Sequence, residues 1–112
     1  MYYKQIDVNC ENIDNLSTEL RYEIATAKVD GLQLLRINLC NNALEDSGYT
    51  KLIGGAIRLL KEMKREGRVQ FIASKDSFEK NKTEAVFLIN KYPELFPLEQ
   101  NTNGCEFIYI KL

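Results

Sequence analysis

The sequence predicts one α/β domain of order βαβαβαβ, with a mostly parallel four-stranded sheet and helices packed against it. Three observations carry that expectation. Short apolar runs of strand character alternate with longer segments whose apolar residues recur at spacings of 3 and 4. Asp30-Gly31, Gly67 and Asn103-Gly104 fall where the pattern changes. The 112 residues, 45% hydrophobic and 28% charged, suit one globular domain with a real core and are too few for two. Strand-helix-strand units imply right-handed crossovers and strands pointing the same way.

The first strand is expected at residues 5–9, where Ile6 and Val8 alternate with polar residues. Over residues 13–28, Ile13, Leu16, Leu20, Ile24 and Ala27 make one face of an amphipathic helix, capped by Asn12 or Asp14. Residues 32–39 have few polar interruptions, the pattern of a central strand buried on both faces. The next helix is expected at residues 49–66, with Ser47 as its cap and Gly67 as its stop. It buries Leu52, Ile53, Ala56, Ile57, Leu60 and Met63. Gly54 and Gly55 lie inside it, where each costs roughly 1 kcal/mol against alanine. Two reasons would justify them: close packing on the sheet, or a ligand approaching the helix backbone. A third strand is placed at residues 69–74 and a third helix at residues 77–91, with Ala85, Leu88 and Ile89 inward and Pro93 past its end. Residues 94–104 read as irregular, and the last strand, at residues 106–111, is expected at an edge of the sheet, where it is free to run antiparallel.

Composition excludes several chemistries. The chain has no histidine, so Ser-His and Cys-His nucleophilic sites and His-bearing zinc sites are ruled out. Fifteen basic and sixteen acidic residues leave a formal charge of -1, so any nucleic-acid contact must come from a local patch. No apolar run approaches membrane-spanning length and no charged-then-apolar leader opens the chain, which points to the cytoplasm and away from a membrane partner. Cys10, Cys40 and Cys105 lack the spacing of a disulfide framework or zinc ribbon. They read as reduced thiols, with no metal or cofactor expected. Each falls at a strand end, so a meeting of the three at one sheet edge is the alternative.

In such sheets ligands collect beyond the carboxyl ends of the parallel strands. The longest loop there, residues 40–48, holds Glu45 and Asp46 but lacks the glycines of a phosphate cradle. These two carboxylates either favour the positive end of the following helix or hold a divalent ion. The basic residues show one pattern. Lys51, Arg58, Lys61, Arg65 and Arg68 are spaced 7, 3, 4 and 3, a stripe along the second helix, with Lys64 beside it. Such a stripe suits phosphates. Glu62 and Glu66 interleave with it, as on an ordinary solvated face of mixed charge. Tyr2, Tyr3, Tyr92 and Phe96 are of a type that stacks on bases, although nothing in the sequence places them near the stripe.

Taken whole, the chain resembles the Smr (small MutS-related) domain in its stand-alone bacterial form. The resemblance lies in Leu20-Arg21-Tyr22-Glu23-Ile24, Gly31 through Leu35-Arg36-Ile37, and Lys61-Glu62-Met63-Lys64-Arg65-Glu66-Gly67-Arg68-Val69. Phe71-Ile72, Tyr92-Pro93-Glu94-Leu95 and Asn103-Gly104 before Phe107-Ile108 extend it over nearly the whole chain. It implies binding, and often nicking, of DNA or RNA. The family's Leu-Asp-x-His is replaced by Ile6-Asp7-Val8-Asn9, which keeps only Asp7. Its His-Gly-x-Gly is replaced by Leu39-Cys40-Asn41-Asn42, which keeps nothing. The resemblance therefore implies a domain whose nicking activity is lost or very weak, with Asp7 as the catalytic residue if activity survives. The other role for Asp7 is capping or polar filling at a strand end.

A rival resemblance is to the STAS domain of anti-sigma factor antagonists. Leu35-Arg36-Ile37-Asn38-Leu39 followed by Glu45-Asp46-Ser47-Gly48-Tyr49 looks like that family's strand and phosphorylation loop, and Leu52-Ile53-Gly54-Gly55 suits its helix. It implies a protein-interaction regulator with Ser47 as phosphate acceptor, a modification that adds nearly two negative charges at a helix start. One opening strand where that family has two, and a closing strand in place of a last helix, count against it. The leading expectation is thus a diverged Smr-like domain that binds nucleic acid or a protein partner weakly and without catalysis. Lys51, Arg58, Lys61, Lys64, Arg65 and Arg68 would supply the phosphate contacts.

Overall fold

The computed structural model describes residues 3–8, 13–39, 46–94 and 106–112. Its elements run β1 (Tyr3–Val8), α1 (Ile13–Val29), β2 (Leu34–Leu39), α2 (Asp46–Arg65), β3 (Phe71–Ser74), α3 (Lys75–Glu79), α4 (Thr83–Lys91) and β4 (Glu106–Lys111). The four strands form one sheet in the order β1-β2-β4-β3. The α/β class is as expected, but the sheet is mixed, not mostly parallel. Only β1 and β2 pair in parallel, while β4 pairs antiparallel with both β2 and β3. The last strand also does not join an edge. It inserts between β2 and β3, and the edges are β1 and β3.

That position follows from composition. Glu106–Lys111 is EFIYIK, an almost unbroken apolar strand, and Phe107 through Lys111 are all buried. A strand whose two faces are both apolar is satisfied only where both faces are covered. Ile108 and Ile110 turn to a cluster with Leu16, Leu20 and Ile24 of α1 and Leu52, Ala56, Leu60 and Met63 of α2. Phe107 and Tyr109 turn the other way, to a cluster with Leu34, Ala73, Leu88 and Tyr92. Helices therefore cover both faces: α1 and α2 on one, α3 and α4 on the other.

Helix endings are set by the local sequence. At the end of α1 the Gly31 amide donates to the Lys28 carbonyl (3.1 Å) and the Leu32 amide to the Ala27 carbonyl (3.0 Å). At the end of α2 the Gly67 amide donates to Lys64 (3.1 Å) and the Arg68 amide to Met63 (2.9 Å). Both are Schellman closures, and both glycines take the left-handed conformation the motif requires, with φ 76° and 78°. The same closure corrects the third helix. Asn81, at φ 51°, ends α3: its amide donates to Phe78 (3.3 Å) and that of Lys82 to Ser77 (2.9 Å). One helix over residues 77–91 is thus two, tied by the Ser77 hydroxyl donating to Glu84 at 3.2 Å. Ile89, expected inward, is 40% exposed, because the inward face of the shortened α4 is Ala85 and Leu88.

Strand β2 is two-sided, but not uniformly apolar. Leu35, Ile37 and Leu39 face the α1/α2 cluster, while Arg36 and Asn38 alternate with them toward the other face. Native-state hydrogen exchange measures the topology directly. The β4 amides, bonded on both sides, are expected to be the slowest in the sheet, well behind those of β1 and β3. Exchange of β4 as fast as β1 would overturn its central placement.

Candidate functional site

Helix α2 lies against the sheet through Leu52, Ala56, Leu60 and Met63, with Ile53, Ile57 and Leu59 partly buried around them. Its opposite side is the feature the sequence singled out. Lys51, Arg58, Lys61 and Arg65 point away from the core and are exposed, and Lys64 is exposed at the margin. Arg58, Lys61, Lys64 and Arg65 line an open hollow on this face together with Glu62. Four cations and one carboxylate leave a net +3 on the hollow, in a chain whose total formal charge is -1. Among the described residues, none of these four cations has an ion-pair partner. A second nearby carboxylate, Glu66, sits 4.0 Å from Arg21 and 3.5 Å from Arg68.

Arg68 does not belong to the stripe. The helix ends at Arg65 and the chain turns at Gly67, so the spacing that continues the row on paper is broken in space. Arg68 lies instead in a small hollow between the C-terminal ends of α1 and α2, beside Arg21 and Lys28. There the Lys28 ammonium donates to the Arg68 carbonyl at 2.9 Å. This second basic group is the one sequence spacing missed, because its members come from two helices.

Asp7 lies on the other side of the sheet. It alternates with Ile6 and Val8, which join the α1/α2 cluster, so its carboxylate faces away from α2. The parallel register sets Asp7 opposite Asn38 and Gln5 opposite Arg36. The Asn38 amide donates to Asp7 Oδ1 at 2.9 Å, and Arg36 Nη1 donates to Gln5 Oε1 at 3.3 Å. Arg36 is only 9% exposed, and its guanidinium also lies 5.1 Å from the Phe107 ring centre and 5.7 Å from that of Tyr109. Asp7 is therefore one rung of a cross-strand polar ladder, separated from the basic stripe by the sheet and by α2 itself.

The remaining sequence candidates divide. Ser47 falls in the first turn of α2, inside the helix and not at its cap, and its side chain lies outside the described structure, as does that of Asp46. Glu45, Cys10, Cys40, Cys105, Tyr2 and Phe96 lie outside the described residues. Tyr92, considered for base stacking, is 4% exposed, and its hydroxyl donates to Gln33 at 3.3 Å. Tyr3 is half-buried against the second cluster. Among the described residues no group of three or more Cys, Asp or Glu is placed to hold a metal ion, and no helix is long and apolar enough to cross a membrane. No known family model, curated protein or solved structure matches the chain.

Among the described residues, the perturbed ionisable groups lie away from α2. Bonds from Lys80 and then Lys82 hold the Asp76 carboxyl below its ordinary range. Burial, then Glu94, raises Tyr92. Burial first, and the like charge of Lys91 second, push Lys111 below 10.5. Lys111 has a linkage consequence. Its folded pKa is depressed, so between that value and 10.5 the unfolded chain binds more protons. Stability contributed by this residue then rises with pH through that window and is flat below it. Lys111→Met is expected to be more stable than the parent at pH 7, with the gain shrinking as pH approaches 10.5. Urea melts at both pH values measure it, and a gain that grew with pH would contradict the assignment.

Proposed function

We propose that the chain is a diverged, cytoplasmic Smr-like domain that binds the phosphate backbone of DNA or RNA through the outer face of α2, with nicking lost or very weak. The observation that carries this reading is the row of exposed cations, Arg58, Lys61, Lys64 and Arg65, without ion-pair partners among the described residues. Glu62 is the one carboxylate lining the hollow with them, and the nearby Glu66 pairs with Arg21 and Arg68. A cluster left at net +3 is suited to a polyanion.

Contact of these cations with phosphate oxygens positions a strand and does not read its sequence. Lysine and arginine reach phosphate oxygens, whereas base readout needs side chains directed into a groove or rings that stack. The stripe of Lys51, Arg58, Lys61 and Arg65 carries no ring. Loss of nicking fits the chain on two grounds. The histidines and glycines of the resembled motifs are missing, and Asp7 sits across the sheet from the cations that would hold the substrate. A strand seated on α2 does not reach it.

Anisotropy titration of labelled duplex DNA and RNA at several salt concentrations tests the proposal. With four phosphates neutralised, log K is expected to fall against log salt with a slope of about −3 to −4. The Arg58→Glu, Lys61→Glu, Arg65→Glu triple variant should lose binding while keeping its fold, since all three side chains are exposed. Absence of binding at low salt, or equal affinity in the triple variant, would sink the proposal.

A further inference from the structure

Glycine inside a helix has two ordinary structural reasons: a backbone conformation closed to other residues, or a neighbour packed too close for a Cβ. Neither applies to Gly54. Its φ is not in the left-handed region, and a Cβ built there meets nothing within 4 Å. Gly54 is exposed, so the close packing on the sheet that the sequence offered as its reason is ruled out. Alanine, the better helix former, would fit without a clash.

What distinguishes the position is its row. Lys51, Gly54, Arg58, Lys61 and Arg65 follow one another at spacings of 3, 4, 3 and 4, the run of a single stripe along α2. Along this row Lys51, Arg58, Lys61 and Arg65 are cationic, Glu62 lies beside them, and Gly54 alone has no side chain at all. The gap lies between Lys51 on one side and Arg58 on the other, both exposed. The amides of a helix interior are engaged within the helix, so Gly54 offers no new donor. What it offers is access: a strand can approach α2 more closely here than anywhere else on the stripe, with cations reaching it from both directions.

We infer that Gly54 is the point of closest approach of a phosphodiester backbone to α2, held open so that Lys51 and Arg58 grip the same strand. This rests on the nucleic-acid reading given above and adds to it a contact residue and the path of the strand, along the helix axis from Lys51 to Arg65.

Gly54→Ala and Gly54→Gln, compared with the parent, test it with labelled duplex DNA at low salt and thermal melts followed by circular dichroism. Both variants are expected to melt at or above the parent temperature, since the space is open and the helix propensity rises. Gly54→Ala should weaken binding measurably. Gly54→Gln, uncharged and long enough to fill the gap, should weaken it by roughly tenfold, the scale of one lost charge-assisted contact. Parental affinity in both variants, with the Arg58→Glu, Lys61→Glu, Arg65→Glu variant inactive, would overturn the role of Gly54 and leave the nucleic-acid reading standing. A parent that does not bind would overturn both.

Discussion

The insertion of β4 between β2 and β3 is the constraint on which the rest of the molecule depends. Without it the chain from β1 to β3 has a gap in its sheet, because β2 and β3 are not neighbours. Filling the gap needs a strand bonded on both sides and apolar on both faces, and Phe107, Ile108, Tyr109 and Ile110 supply it. The connection from β2 to β3 therefore crosses an occupied position, and α2 lies over it with Leu52, Ala56, Leu60 and Met63 in the same cluster as Ile108 and Ile110. The side of α2 that must face outward is fixed by that contact. The stripe of cations is exposed because the opposite side of its helix is pinned to the closing strand.

The two faces of the sheet are finished differently. On the α1/α2 side the apolar cluster runs from Val8 on β1 through Leu35, Ile37 and Leu39 to Ile108 and Ile110. On the other side the apolar cluster is centred on Phe107, Tyr109, Leu34 and Ala73, and toward β1 polar side chains replace it. Gln5, Asp7, Arg36 and Asn38 pair across the two parallel strands, and Arg36 bridges from this ladder to the aromatic rings. Burying a guanidinium without partners is strongly unfavourable, so its rings and its bond to Gln5 are conditions for its being there. This arrangement gives Asp7 a structural role that needs no substrate.

Much of the fold was legible. The helical rows of α1 and α2, their glycine stops, and the extent of the last strand were all present as local patterns, because amphipathic periodicity and Schellman closures are set by residues close in sequence. What failed was non-local. The pattern EFIYIK could have been read as a central strand from its two-sided apolar character, but its position depends on a gap between strands far earlier in the chain. Asn81 is the stop that no glycine marks, because asparagine also tolerates φ above zero. The stripe from Lys51 to Arg65 was legible for the same reason as the helix that bears it. Arg68 was not, since its place was decided by a turn, and the Arg36 and Asn38 partners of Asp7 depended on strand register.

Structural roles account for part of the basic stripe, and what they leave is the informative part. Lys64 and Arg65 stand in the last turn of α2, where a positive charge meets the negative helix end and stabilises by about 0.3–1 kcal/mol. Lys28 at the end of α1 has the same benefit. That effect dies away within a turn, so it does not extend to Arg58 or Lys51. Lys61 and Arg65 are like charges four residues apart, which costs a few tenths of a kcal/mol. Gly54 costs the helix more, about 1 kcal/mol against alanine, with no packing or conformational gain to offset it. The middle of α2 is thus less stable than its own sequence options allow, on a face whose cations are exposed and make no ion pair among the described residues. Local costs left unoffset in the fold are the places where sequences depart from what stability alone would select, and the proposed phosphate contacts of α2 are made there.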